Sequence, residues 1–291
     1  MAGGKRDWVY KLSRLDRRII FFLIGLSVVV PLLIGLVLPV FTSPIVQNMF
    51  DRIESLPPGS RVLLSCDYGP STAPENQPMA ESITRHALAR DCRLYIVSLW
   101  ATGAGQIELL QDQVLRTEFE GKEEGVDWVN LGYKAGNQGL INAILLDLKA
   151  MYSTDVRGTS TGSIPMMEGV ANLTDMDLIV GIGSGFPGVK EWIQFAGDRG
   201  DIPITGGVTA VEAPLLYPYY PKQLLGLMGG LQGAAEYETA LIKAYPRFRQ
   251  TAVNAVRLMG PQAVAHTLIA LLVILGNVMF FMERRREGKR S

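Results

Sequence analysis

Arg61-Val-Leu-Leu-Ser-Cys-Asp-Tyr68 is a short apolar run that turns polar at its end, and Leu94-Tyr-Ile-Val-Ser-Leu-Trp100 repeats the pattern one helix length later. An unbroken apolar stretch, rather than an alternating one, is what a strand covered on both faces of a sheet requires. Between the two runs, Gln77 to Arg90 reads as a helix with Pro78 in its first turn, where the missing N–H is harmless. The unit then recurs. Ile107, Leu110, Val114 and Leu115 stand at helical spacing. Val126-Asp-Trp-Val-Asn-Leu-Gly-Tyr133 is a third strand, followed by a helix bearing Leu140, Ile141, Ile144, Leu145, Leu148 and Met151. Asp177-Leu-Ile-Val-Gly-Ile-Gly183 is a fourth strand with a helix from Pro187 to Ala196, and Ile202-Pro-Ile-Thr-Gly206 is a short fifth. Alternating strands and helices imply parallel strands joined by right-handed crossovers, so the expected fold class is α/β, an open Rossmann-like, mostly parallel sheet of about five strands.

This α/β domain is expected over residues 61–245. Before it, residues 42–60 read as a linker ending in the turn signal Pro57-Pro58-Gly59-Ser60. Ser153 to Ser163 is polar and glycine-bearing and reads as a lid or, more simply, as disorder. Leu224 to Ala235 reads as part of a glycine-rich helix over 222–243. Gly226, Gly229, Gly230 and Gly233 spell G-x-x-x-G twice there, a spacing that lets a second backbone approach, either within the domain or from another subunit. Gly233-Ala-Ala-Glu-Tyr-Glu238 puts two carboxylates on a helix, where Glu236 reads as reaching a basic partner or the cleft mouth or, more simply, as part of a solvated face. Residues 246–260 read as a short connecting helix.

Outside this core lie two long apolar runs, Ile19 to Phe41 with 23 residues and Pro261 to Met282 with 22. At about 1.5 Å per residue, either is long enough as a helix to cross a hydrocarbon core of about 30 Å. The basic residues flank the outer ends: Lys5, Arg6, Lys11, Arg14, Arg17 and Arg18 in a tail over 1–18, and Arg284, Arg285, Arg286, Lys289 and Arg290 in a tail over 283–291. The positive-inside rule places both termini in the cytoplasm, making a two-pass protein of the cell membrane with an extracytoplasmic central domain. The first run exceeds a signal-peptide core and ends in Val40-Phe41-Thr42-Ser43-Pro44 without a small-residue cleavage site, so it reads as a retained anchor kinked at Pro31.

Charge follows the same division. The chain carries 28 basic and 28 acidic residues, but between the tails 17 basic face 24 acidic ones. An acidic centre has no footprint for nucleic acid, while basic tails suit an anionic bilayer surface. The two cysteines, Cys66 and Cys92, fall at opposite edges of neighbouring parallel strands and read as free thiols. Of the two histidines, His86 reads as a surface residue of the first helix and His266 as part of the second span. No metal-binding spacing and no Ser-His-Asp arrangement stands out, and no catalytic residue or cofactor is assigned.

Ligands of open parallel sheets bind beyond the carboxyl ends of the strands. Those ends collect a candidate ligand-binding set of Asp67, Tyr68, Trp100, Thr102, Tyr133, Asn137, Gly183, Ser184, Gly185, Gly207 and Thr209, with Ser98, Lys134 and Gly206 beside them. Gly181-Ile-Gly-Ser-Gly-Phe-Pro-Gly188 is the sharpest local motif. It is neither a dinucleotide fingerprint nor a Walker A loop, but as a strand-to-helix turn it is a place for a small anionic solute. The expected function is a membrane-anchored, non-enzymatic module that binds a small solute, or that assembles by self-association or with other membrane proteins. The alternatives are a membrane-bound enzyme with Asp67, and less directly Glu212, as acid/base groups, and a structural subunit of a transport or secretion complex.

Overall fold

The computed structural model describes residues 16–287. The expected tails of 1–18 and 283–291 therefore lie largely outside the described residues. Two compact units emerge, Val40–Val256 and a second made of Met1–Pro39 with Arg257–Ser291.

In the first unit the strands are β1 (Arg61–Asp67), β2 (Arg93–Ser98), β3 (Trp128–Tyr133), β4 (Leu178–Gly183), β5 (Ile204–Val208) and β6 (Leu227–Gly229). All neighbours are parallel, in the order β3-β2-β1-β4-β5-β6. This is a Rossmann-like sheet with its switch point between β1 and β4. The five expected strands are present within a few residues of their expected ends. The sixth carries only three residues, too few for a periodicity to register.

Helices cover both faces. Besides α1 (Arg17–Leu33) in the second unit, the chain forms α2 (Pro44–Glu54), α3 (Ala73–Ala89), α4 (Gly103–Leu110, continued by a π turn over Gln111–Leu115), α5 (Asn137–Leu146), α6 (Val189–Glu191, continued by a π turn over Trp192–Gly197), α7 (Gly230–Ala244) and α8 (Asn254–Glu287). Leu63, Tyr95, Val129, Ile179 and Ile204 on one face of the sheet share a core with Ile141 and Ile144 of α5 and Trp192 and Ile193 of α6. On the other face α7 packs against α3 and α2, burying Met49, Ile53, Met79, Ile83 and Tyr237 completely.

Several expectations are corrected. The segment expected as a linker over 42–60 contains α2, whose buried Val46, Met49, Phe50 and Ile53 recur at three- and four-residue steps behind a Ser43-Pro44 start. The glycine-rich helix expected over 222–243 begins only at Gly230. Gly226 and Gly229 instead belong to the β6 segment, and Gly226 lies so close to α2 that an added Cβ would stand 2.5 Å from the Met49 backbone nitrogen. Gly230 turns the chain from strand to helix at φ +62°, and Gly233 packs on the Met228 backbone. These close approaches are therefore made within the chain's own fold. The Ser153–Ser163 loop is ordered: Asp155 accepts from the backbone N–H of Arg157 (2.9 Å) and Thr159 (2.7 Å), and the Val156 N–H donates to the Asn130 carbonyl of β3. The connecting helix expected over 246–260 is one 3₁₀ turn, Pro246–Phe248, and then the start of α8.

α8, which belongs to the second unit from Arg257 onward, contains Asn254–Met282, a stretch long and apolar enough to cross a membrane, with almost none of it buried in protein. It is the one such helix among the described residues. The expected first span of 19–41 is helical only to Leu33, because Gly35 at φ +62° closes the helix. The Gly35 N–H bonds to the Leu32 carbonyl and the Leu36 N–H to the Pro31 carbonyl, which satisfies the helix end and turns the chain away. The 17 residues of α1 reach about 25 Å, short of the hydrocarbon thickness. Gly260 of α8 meets this turn, since a Cβ there would overlap the Leu36 carbonyl oxygen.

Candidate functional site

The switch point, where β1 and β4 part company, is filled by the chain itself. Asp67 at the end of β1 is fully buried and accepts hydrogen bonds from the Ser65 hydroxyl (2.8 Å), the Leu99 N–H (2.7 Å) and Trp192 Nε1 (2.9 Å). Burial pushes its carboxyl up to about 7. With these donors it ties β1 to the β2 loop and to α6, and no face of it meets solvent. Tyr68 is equally buried, its hydroxyl donating to Gln77. Trp100 reaches from the β2 end to the β4 loop, where its Nε1 donates to the Pro187 carbonyl (2.7 Å) and its ring stands beside Gly185. Thr102 packs on Gly69, so the turn after β1 is closed as well.

Gly183 is buried with its carbonyl accepting from Asn76 Nδ2 (2.9 Å), and Gly207 is buried between Met79 and Ile182. Ser98 is buried, its hydroxyl bonded to the Cys66 carbonyl. Tyr133 and Asn137 are exposed at the β3 end of the sheet, on the far side of β2 from β4 and β5. The expected ligand set is thus divided among an interior group, a β3 group, and a third group at β4 and β5.

That third group forms a cleft. Ser184 and Gly185 after β4 and Thr209 after β5 line a cavity of ≈ 360 Å³ together with Phe186, Lys190 and Glu191 on one wall and Val211, Glu212 and Leu215 on the other. Ser184 accepts a bond from the Thr72 hydroxyl (3.0 Å). The apolar rim is bare: Val211 is 89% exposed, Leu215 69% and Phe186 59%. Val211 and Leu215 lie outside the expected set because isolated exposed apolar residues in a turn and a four-residue helix have no period to reveal them.

The charged side chains of this cleft are Glu191 and Glu212 against one basic residue, Lys190. The turn Gly181–Gly188 opens α6, but the Gly188 N–H is already bonded to Glu191 Oε2 (2.8 Å), so the anion held at this helix start is the helix's own side chain. Glu212 faces the same carboxylate. Burial and the nearby Glu191 push its carboxyl up to about 7, and its Oε2 is buried without a hydrogen-bond partner. Glu212 and Asp67 do not bond to each other; Glu191 is the neighbour that acts on both.

Two further polar clusters hold the unit together. His86, expected on the surface, is fully buried and stacks on Phe50 at 4.3 Å. Its Nε2 stands 2.8 Å from the Glu54 carboxylate, which can only accept, so Nε2 carries the proton and Nδ1 accepts from the Tyr237 hydroxyl at 2.6 Å. Burial lowers its pKa to about 4. Glu236 of α7, expected on a solvated face, is also buried, as is Glu238. Glu236 accepts from the Ser43 N–H (2.9 Å) and from the Ser43 hydroxyl, at the start of α2. Glu238 accepts from the N–H groups of Ala255 (3.0 Å) and Val256 (2.9 Å), in the first turn of α8. One helix thus grips the chain at both ends of the α/β unit.

His266 is exposed on α8, and Cys66 and Cys92 are free and buried. Among the described residues no group of three or more His, Cys, Asp or Glu side chains is placed to hold a metal ion. No family model, curated protein or solved structure matches the chain.

Proposed function

We propose that the protein is a membrane-anchored α/β module that binds a small solute in the cleft at the carboxyl ends of β4 and β5 and carries out no reaction on it. The observation behind this reading is the cleft itself, a concave site of ≈ 360 Å³ that pairs an apolar rim with one buried, unbonded carboxylate oxygen. Pockets of this size, mostly apolar with a few placed polar groups, are the usual form of small-molecule sites. Enzymatic chemistry at Asp67 is not part of the proposal, since that carboxylate is sealed and saturated with donors.

In this reading both apolar runs cross the bilayer, α8 as a continuous helix and α1 together with the residues that follow it. The basic residues at the outer ends keep both termini cytoplasmic and the α/β unit extracytoplasmic. Tethering at both ends favours a fixed receptor over a mobile carrier.

The test is a metabolite library read by thermal unfolding of the full chain in nanodiscs, since a ligand of the native state stabilises it by RT ln(1 + [L]/Kd). Compounds that raise the midpoint of the wild type but not of Phe186→Asp are the expected result. A library in which no compound separates the two proteins refutes a solute site here. A reporter fused after Ser291 should read cytoplasmic, and one inserted at Gly121 external.

The bare rim supports a second reading, assembly with another membrane protein or a second copy. A fixed stoichiometric complex dissociated by Val211→Asp with Leu215→Asp, with no solute bound, would favour it.

A further inference from the structure

We infer that the solute class taken by the β4–β5 cleft is an organic ammonium ion with an apolar body, its N–H groups bonded to Glu212. The inference rests on the reading of this cleft as a solute site. Three features of the walls point to a cation in place of an anion. First, Glu212 leaves Oε2 buried without a donor, and a buried acceptor is costly to leave unbonded. Second, the Gly188 N–H at the α6 start is already bonded to Glu191, and the two carboxylates of the lining, Glu191 and Glu212, outnumber its one basic side chain, Lys190, so an incoming carboxylate or phosphate would meet a net negative wall. Third, Glu191 acts on Glu212 as a like charge, a repulsion that a cation bound at Glu212 relieves.

The rest of the cleft sets the body of the ligand. Phe186, Val211 and Leu215 offer apolar surface that is otherwise exposed to water, and an aromatic face at Phe186 is itself attractive to an ammonium group. The Ser184 and Thr209 hydroxyls offer further acceptors. A ligand of roughly ten heavy atoms suits a cavity at the small end of the usual range. Protons are linked to this binding. Because the Glu212 carboxyl stands at about 7 in the free cleft, the cation binds with release of a proton, and binding tightens as pH rises through neutrality.

The experiment uses the full chain in nanodiscs, with empty nanodiscs as the blank, and three probes of nearly equal size: 2-phenylethylamine, 2-phenylethanol and 3-phenylpropionate. Saturable binding of the amine alone is expected, tightening from pH 6 to pH 8 and weakening at least tenfold in Glu212→Gln. Glu108→Gln, at an exposed position outside the cleft, leaves it unchanged. Preferred binding of the alcohol or the carboxylate overturns the ammonium assignment while leaving a solute site standing. Amine binding equal in wild type and Glu212→Gln overturns it as well. Binding of none of the three also refutes the ammonium class, whereas the solute site itself falls only with the wider library.

Discussion

Glu238→Gln should change the sign of its effect with pH. In the native protein the Glu238 carboxyl is buried and bonded to the first-turn N–H groups of α8 at 3.0 and 2.9 Å. Burial pushes it up to about 7, against partial relief from those two N–H groups and from Arg85, with Glu81 opposing. A carboxyl raised on folding adds stability that is fully present below its unfolded value, near 4.5, and is lost as pH rises toward 7. Between pH 5 and pH 8.5 this loss amounts to about 2–3 kcal/mol, at 1.36 kcal/mol per pKa unit. Glutamine keeps one acceptor for the α8 start and turns an NH₂ toward the other N–H, a loss of about 1–2 kcal/mol. The variant should therefore be less stable than wild type at pH 5, equal to it near neutrality, and more stable by about 1 kcal/mol at pH 8.5. Titrating groups not coupled to Glu238 cancel in the comparison, and Glu81, relieved of a like charge in the variant, shifts the difference in the same direction. For a unit of this size the change in the difference is about 5–10 °C of unfolding midpoint, measurable for the full chain in nanodiscs by circular dichroism at several pH values. A deficit that stays constant across the range, or grows at high pH, refutes the argument.

His86 should govern the acid limb in the opposite sense. Its pKa is lowered by burial to about 4, so its share of stability is present above about 6.5 and is lost as pH falls toward 4. His86→Phe, read in the same pH series, should flatten that limb while costing roughly 2 kcal/mol at pH 8 through the orphaned Tyr237 hydroxyl. Gly226→Ala should destabilise by roughly 1–3 kcal/mol, since the new methyl lands on the Met49 backbone and α2 has to move; an unchanged denaturation midpoint would contradict the close approach. Burial pushes the Cys66 thiol well up and the Cys92 thiol to about 11, so both should resist a maleimide in the native protein and react only in denaturant, as mass spectrometry would show.

Elements whose evidence is local were legible in the chain. β1 and β2 announce themselves as apolar runs, and their alternation with helices carries the parallel topology. The helix α2 was also present in local form, in the spacing of Val46, Met49, Phe50 and Ile53, but the polar residues between them and the nearby proline turn mask it. The fate of a polar side chain is another matter. Asp67 sits at a strand end, where ligand groups gather, yet Trp192 arrives from 125 residues away to seal it. Nothing near residue 67 reports that arrival. The cleft at β4 and β5 was half legible: Ser184, Gly185 and Thr209 follow from strand ends alone, while its charge depends on Glu191 of α6 and Glu212 after β5 lining one cavity.

By itself the sequence determined the class of fold, the placement of five strands, the apolar runs at both ends and the freedom of both thiols, since all of these rest on periodicity, length and composition. The tertiary structure alone decided where α1 stops, which glycines pack within the fold, that His86 is buried, and what the two carboxylates of α7 hold. Glu236 and Ser43 are 193 residues apart, and Glu238 and Ala255 are 17. Burial and hydrogen-bond partnership are set by neighbours in space, and a one-dimensional pattern carries the period of an element but not the identity of what packs against it.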